Sequence, residues 1–175
     1  YALGGSDKNG YTASCERAAI KQDGTLDAWK KSFSLNVPRG YAAAVIYNGY
    51  VYVLGGANGE HGANLLNTVE RARINPDASL GRWVMEKEKL FSARRGVTVA
   101  ARDGYIYAIG GYNGEFLDTI EAAKINADGT LGPWDIVSIM LERRYIHSSV
   151  VSGDRLYVIG GHQRSTGGAL DKTEY

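Results

Sequence analysis

The stretch Tyr52–Ile74, YVLGGANGEHGANLLNTVERARI, decides the fold. An apolar run ends in the pair Gly55-Gly56, and a polar, glycine-containing loop follows. A double glycine after a strand can cradle a phosphate, or it can be architectural. The pattern recurs as YALGG at Tyr1, YAIGG at Tyr107 and YVIGG at Tyr157, at intervals of 51, 55 and 50 residues. A phosphate loop occurs once per nucleotide site, so four copies indicate a repeating structural unit.

Other residue types recur at nearly the same positions relative to the double glycine in each copy. In each copy a Glu lies 13 residues before a Trp, and an Arg lies 13 residues before the Tyr of the next YxxGG. The chain is therefore predicted to be one repeat array over residues 1–175, with units of about 1–51, 52–106 and 107–156 and a partial unit 157–175. The repeated residues are Glu16, Glu70 and Glu121, then Trp29, Trp83 and Trp134, and finally Arg39, Arg94 and Arg144.

Each unit has the pattern of four short strands. Two β-rich runs are joined by Asn48-Gly49 or Asp103-Gly104, which supply the positive φ angles of two-residue hairpin turns. A third run, TVERARI or TIEAAKI, follows the variable loop, and a fourth run begins at the Trp. No segment sustains a period of 3.6 residues. The sequence therefore predicts an all-β propeller of four-stranded antiparallel blades, with about three and a half blades in this chain.

These motifs resemble the kelch-repeat family, whose blades carry a double glycine after strand two, a Trp in strand four and an Arg before strand one. The resemblance covers the whole chain. The turn INADGTLGPW is similar to repeats of bacterial secreted or surface-associated kelch proteins, which implies a secreted or cell-surface location. Kelch propellers usually have six or seven blades. The chain is therefore expected to be a fragment of a longer propeller, or to close its propeller as a homo-oligomer with a second copy.

Composition and charge argue against several classes of function. Twenty basic and nineteen acidic residues leave a net charge of +1, which argues against a broad nucleic-acid interface. No apolar run reaches transmembrane length, so no membrane insertion is predicted. Cys15 is the only cysteine and is interpreted as a small apolar filler. His61, His147 and His162 do not have the spacing of metal ligands. We expect no metal, no cofactor and no catalytic residue.

The candidate ligand face follows from blade topology. The loops between strands two and three emerge on the same side as the segments between blades, and they carry the length variation and the most varied side chains. This face is expected to bind a polar or acidic ligand. The resemblance adds that kelch domains that hold acidic peptides use arginines in this region. For the repeated arginines, hydrogen bonding between blades is the structural alternative. The candidates are Arg39, Arg94, Arg144, Asn58, His61, Tyr112, Asn113 and His162; Arg95 and Arg143 lie beside the repeated arginines, and Gln163 and Arg164 follow His162.

The predicted function is a non-catalytic binding scaffold for a protein or a glycan. The alternative is a fragment of a carbohydrate-active or redox enzyme whose catalytic residues lie in blades outside this chain, since kelch folds also host oxidases and sugar isomerases. A second surface is suggested by the run WDIVSIML, where Val137 and Ile139 replace the serine or charged residues of the other fourth strands. Packing under a neighbouring loop and contact with a partner or second subunit are both open for these two residues.

Overall fold

A computed structural model describes residues 1–163 and the backbone of a strand at Thr173–Glu174. The described residues form antiparallel sheets and one 3₁₀ turn, Glu60–Gly62, so the predicted all-β class is confirmed. Among these residues there is no helix that is both long enough and apolar enough to cross a membrane. Four successive sheets correspond to four successive blades, which we number one to four.

The second and third blades are complete. Each has the strand order one to four from the inside outward, with every neighbouring pair antiparallel. The second blade consists of β6 (Ala43–Tyr47), β7 (Tyr50–Leu54), β10 (Val69–Arg73) and β11 (Val84–Met85), and its loop holds the pair β8 (Ala57–Asn58) and β9 (Asn64–Leu65). The third blade consists of β12 (Thr98–Arg102), β13 (Tyr105–Ile109), β14 (Thr119–Ile125) and β15 (Leu131–Ile139).

The first and fourth blades each have three strands in the described part of the chain. Within the described residues, no innermost strand pairs with the inner edge of the first sheet, and no outermost strand follows the third strand of the fourth. The first blade consists of β1 (Ala2–Leu3), β4 (Cys15–Arg17) and β5 (Lys30–Lys31), with the pair β2 (Ser6–Asp7) and β3 (Gly10–Tyr11) in its loop. The fourth blade consists of β16 (Ser148–Ser152), β17 (Arg155–Ile159) and β18 (Thr173–Glu174).

The blades radiate from a common axis. Strand β12 contacts both β6 and β16, so the first strands of the second, third and fourth blades are neighbours at the centre. Small residues in these strands permit this approach. The hairpin turns form where they were predicted: Asn48 and Gly49 have φ of 45° and 77°, and Tyr47 pairs with Tyr50 across them. The partial propeller predicted from the sequence is therefore confirmed.

The double glycine is architectural. The second glycine of each pair has a positive φ, and in the second, third and fourth blades its backbone lies against the segment that enters the same blade. A Cβ on Gly56 would lie 2.6 Å from the Gly40 carbonyl oxygen, and one on Gly111 would lie 2.9 Å from the Arg95 carbonyl oxygen. Any side chain would therefore clash with the backbone there.

The core lies between neighbouring blades. Successive residues of β7 point to opposite faces, so Val51 and Val53 pack toward the first blade while Tyr52 and Leu54 pack toward the third. The fourth strands differ more than the sequence indicates. Strand β15 has nine residues, whereas β11 has two. Glu86 belongs to a run of charged residues after Trp83, but its side chain is buried: it accepts a hydrogen bond from the Leu131 N–H (3.0 Å) and pairs with Arg71.

Candidate functional site

A backbone bridge in each of the second, third and fourth blades assembles one end of the propeller. The residue after each repeated arginine pairs with the residue after the double glycine, as in Arg95–Tyr112, where N–H···O distances are 3.0 and 2.9 Å. Gly40 pairs in the same way with Ala57, and Tyr145 pairs with His162. The segments entering the blades and the loops between strands two and three therefore share one surface, which we call the loop face.

The repeated arginines lie beneath the loop face. The side chains of Arg39, Arg94 and Arg144 are fully buried. The Nη1 of Arg39 donates to the carbonyl oxygens of Gly55 (2.8 Å) and Thr68 (3.1 Å). Arg94 Nη1 donates to the carbonyl of Gly110 and Arg144 Nη1 to that of Gly160, at 2.9 and 2.7 Å. Each guanidinium thus holds the backbone at the end of a second strand.

A buried glutamate completes the pair in the second and third blades. Arg39 Nη2 donates to Glu70 Oε1 at 2.8 Å, and Arg94 pairs with Glu121 in the same way. The glutamate also accepts backbone N–H bonds from the segment arriving from the preceding blade; for Glu121 these come from Phe91 at 2.7 Å and Ser92 at 3.1 Å. Burial lowers the pKa of the Arg39 and Arg94 guanidiniums, and the paired carboxylates oppose that shift.

This geometry favours a structural role for the repeated arginines, although their bonds lie within a blade and not between blades as the structural alternative expected. The charged pair lies within one blade rather than across two, and it fastens the incoming segment to the sheet. A buried guanidinium that already has carbonyl and carboxylate partners offers no surface to a ligand. We therefore do not place the ligand on Arg39, Arg94 or Arg144.

Arg95, the residue that follows the buried Arg94, has a side chain that is partly exposed on the loop face. Arg95 is half-buried on the loop face, with its guanidinium carbon 5.1 Å from the ring centroid of Tyr112 and 6.0 Å from that of Tyr41. Its Nη1 donates to the Gly62 carbonyl oxygen at 3.4 Å, whereas its Nε is buried and has no hydrogen-bond partner among the described residues. A cation held between aromatic rings is preorganised, and a guanidinium N–H without a partner can still donate a hydrogen bond to a carboxylate.

Two further aromatic side chains pack against Tyr112. The rings of Tyr112, Phe116 and Tyr145 contact one another with centroids 5.6 to 5.8 Å apart. Burial raises the pKa of Tyr145, while the neighbouring Arg95 guanidinium acts in the opposite direction. We name the set Arg95, Tyr41, Tyr112, Phe116 and Tyr145 the Arg95 cluster.

Two of the predicted residues line a separate hollow on the loop face. Asn58 and His61 border a cavity of about 470 Å³ with Asn9, Tyr11 and Glu60. Asn58 Nδ2 donates to the Pro38 carbonyl oxygen at 3.0 Å, whereas the His61 side chain is almost fully exposed beside Glu60. The cavity therefore offers amide, hydroxyl and imidazole groups next to one aromatic ring.

The remaining predicted loop residues lie around the Arg95 cluster. Asn113 is exposed, and its Nδ2 donates to Ser92 Oγ at 3.3 Å. His162 is half-buried at its bridge to Tyr145, and the neighbouring Gln163 side chain donates to Glu142. Arg164 lies outside the described residues. The structure thus brings Tyr112, Asn113 and His162 to one side of the loop face, and Asn58 and His61 to another.

Val137 and Ile139 lie on a different surface. Both are more than half exposed on β15 and line a groove of about 770 Å³ between the third and fourth blades. No group of three or more histidine, cysteine, aspartate or glutamate side chains within the described residues could hold a metal ion. Cys15 is buried, and burial raises the pKa of its thiol.

Sequence reasoning gave too little weight to Arg95 and did not select Tyr41, Tyr145 or Phe116. A signal was present, because the position after each repeated arginine varies: Gly40, Arg95 and Tyr145. A position that varies beside an invariant structural residue is where a repeat scaffold can specialise.

The fold and these contacts define a class of protein, a β-propeller array built from repeated four-stranded blades. The Kelch motif matches the chain at residues 38–71 and 93–122. Beta-scruin of Limulus polyphemus is 26% identical over 181 residues, which cover 99% of this chain and 19% of that protein. A solved structure titled "Structure of YjhT" aligns with a TM-score of 0.66 and 15% identity, over 93% of this chain and 58% of that one.

The two Kelch motif matches and the similarity to beta-scruin support a place for this chain in the kelch-repeat family, and the solved structure shares its fold. The chain spans about a fifth of beta-scruin and somewhat more than half of YjhT. Kelch repeats generally form scaffolds for protein–protein interaction, which gives the class of function but no particular ligand.

Proposed function

We propose that the chain is a binding scaffold whose loop face takes an acidic segment of a protein partner, with Arg95 as the anchor. The observation that supports this most directly is the environment of Arg95. Its guanidinium lies between two tyrosine rings, and its Nε lacks a hydrogen-bond partner among the described residues. Guanidinium groups bind carboxylates with two parallel hydrogen bonds, and partial burial strengthens such bonds.

The surroundings of Arg95 suit a peptide. The exposed Tyr41 ring offers apolar area together with a hydroxyl group, the combination that is enriched where proteins bind each other. Asn113 and His162 add polar groups at the edge of the cluster. An acidic side chain on Arg95 would thus lie beside aromatic surface that can cover the neighbouring residues of the ligand.

A glycan is the second candidate ligand, and it rests on the cavity around Asn58. Amide groups and a neighbouring aromatic ring, here Asn9, Asn58 and Tyr11, are groups that can hydrogen-bond sugar hydroxyls and stack on a sugar face. The scaffold is also proposed to associate with itself, because Val137 and Ile139 are exposed apolar residues beside a groove.

The test of the acidic-ligand proposal uses a fluorescent hexaglutamate peptide and the whole chain. Arg95→Ala should weaken binding about tenfold or more, because it removes a charge-assisted hydrogen-bonding group. Arg95→Lys should restore part of the affinity, since it returns the charge without the planar fork. Fluorescence anisotropy at two salt concentrations gives the binding affinity and shows how much of it is electrostatic.

The matched control is Arg82→Ala. Arg82 also stacks on an aromatic ring, with its guanidinium carbon 5.0 Å from the Phe33 centroid, but it lies beside the fourth strand of the second blade. Binding should survive this change. Equal losses from both substitutions, or unchanged binding after Arg95→Ala, would contradict the proposal. Glycan binding that is lost in Asn58→Ala but kept in Arg95→Ala would favour the second candidate.

A further inference from the structure

The segments that enter the second, third and fourth blades share an unusual backbone conformation. Two residues after each repeated arginine the chain has a positive φ, which is 54° at Tyr41, 58° at Gly96 and 50° at Ile146. This left-handed region suits glycine, whereas a tyrosine and, still more, a β-branched isoleucine are strained there. One copy of the repeat thus has the residue that the backbone favours, and two copies have large side chains instead.

Hydrogen bonds between neighbouring blades explain why this conformation recurs. The Gly96 N–H donates to the Tyr41 carbonyl oxygen at 2.8 Å, and the Ile146 N–H donates to the Gly96 carbonyl oxygen at 3.1 Å. The three residues therefore form a row that links three consecutive blades on the loop face. Because the same backbone geometry is made with glycine at the middle of the row, the fold requires the conformation but not the two large side chains.

Packing among the described residues does not compensate for the strain. Tyr41 and Ile146 are 52 and 51% exposed, so about half of each side chain gains nothing from burial. Strained backbone conformations are concentrated at sites where proteins bind their ligands. The two side chains are therefore candidates for a role in binding.

Both side chains lie beside the Arg95 cluster. The ring centroid of Tyr41 is 6.0 Å from the guanidinium carbon of Arg95. Farther along the row, a Cβ on Gly96 would lie 3.2 Å from Ile146 Cγ1 and would clash with the Tyr145 ring, so these two side chains cover Gly96. All of these contacts join the second, third and fourth blades to one another. The result is one cation bordered by apolar surface on two sides.

We propose that Tyr41 and Ile146 contact the protein partner, and that its acidic segment carries a large apolar side chain next to the acidic residue. The carboxylate binds Arg95, and the apolar side chain packs on Ile146 and Tyr145. This inference rests on the proposed function, because Arg95 determines where the acidic residue lies. It adds a requirement that charge alone does not impose, since a purely acidic segment would leave the apolar surface exposed to water.

The test compares two fluorescent peptides of equal charge, Glu-Glu-Leu-Leu-Glu-Glu and Glu-Glu-Ser-Ser-Glu-Glu, on the whole chain by fluorescence anisotropy. The wild type should bind the leucine peptide about tenfold more tightly, because the leucine side chains leave water on the apolar surface. Ile146→Gly should reduce this preference to about twofold or less and leave the affinity for the serine peptide unchanged. Tyr41→Gly should weaken binding of the leucine peptide more than binding of the serine peptide.

Stability measurements separate a contact residue from a packing residue. Glycine relieves the strain at either position, so Tyr41→Gly and Ile146→Gly should unfold at the same urea concentration as the wild type or a higher one.

The matched control is Ala78→Gly. Ala78 has a φ of 59° in the turn between the third and fourth strands of the second blade, where the first and third blades have Gly24 and Gly129. That turn lies at the opposite end of the blade from the loop face. Ala78→Gly should therefore relieve a similar strain and leave both peptide affinities unchanged.

Equal affinity of the wild type for the two peptides, or a leucine preference that persists in both glycine variants, would overturn this inference. A lower urea midpoint for Ile146→Gly would also overturn it, because Ile146 would then be a packing residue. Arg95→Ala tests the proposed function separately and should weaken binding of both peptides by the same factor. If it changes neither affinity, the acidic anchor is wrong, whereas a leucine preference that Ile146→Gly abolishes would still establish the apolar contact.

Discussion

Glu121→Ala is expected to lower the free energy of unfolding by about 3–5 kcal/mol, because it leaves the Arg94 guanidinium as an uncompensated buried charge. The substitution also removes the acceptor for the backbone N–H groups of Phe91 and Ser92. Both residues of the ion pair are fully buried, so water cannot replace the lost partner. Urea denaturation followed by circular dichroism and by tryptophan fluorescence gives the change in stability.

The chain contains its own control for this measurement. Glu16 has the same position in the third strand of the first blade, but its side chain is exposed. Glu16→Ala should change stability by no more than about 0.5 kcal/mol. Glu121→Gln, which keeps an oxygen acceptor without the charge, should cost less than Glu121→Ala. If the two alanine variants are equally stable, the buried pair does not hold the incoming segment as described.

The repeat explains why so much of the fold could be predicted. A turn such as Asn48-Gly49 has local chemistry that allows few conformations, and it recurs in phase with the double glycine. Consistent local signals at a fixed period leave few other folds that satisfy all of them. The order of strands within each blade followed from the same reasoning and is confirmed by the sheets.

The repeat is also the reason that the site could not be predicted as well. Periodicity gives a residue its place in the blade but not its surroundings. Arg94 and Arg95 are adjacent in sequence, yet one is fully buried with Glu121 and the other lies between tyrosine rings from two different blades. Trp29 and Trp83 share a motif, but one is 51% and the other 6% exposed, because only Trp83 has a preceding blade within the described chain.

His147 is a buried group whose protonation should limit stability in mild acid. It lies three residues after Arg144, at the position that Val97 has in the preceding blade, and its Nε2 is 3.0 Å from Thr98 Oγ1. Burial, assisted by the nearby Arg144 guanidinium, lowers the pKa of His147 from 6.5 to about 4. The folded chain therefore keeps this imidazole neutral at pH values where the unfolded chain protonates it.

Stability should consequently fall as the pH decreases from about 6.5 to 4, by about 3 kcal/mol in all, because the unfolded state binds a proton that the folded state does not. Above pH 6.5 this contribution is fully present. His147→Val, which copies the residue of the preceding blade, should flatten that part of the curve while leaving stability at pH 7.5 within about 1 kcal/mol. Urea unfolding free energies at half-unit steps from pH 4.5 to 8 provide the measurement. His61→Asn, which removes an exposed histidine, is the control; a slope that persists in His147→Val would assign the acid sensitivity to other groups.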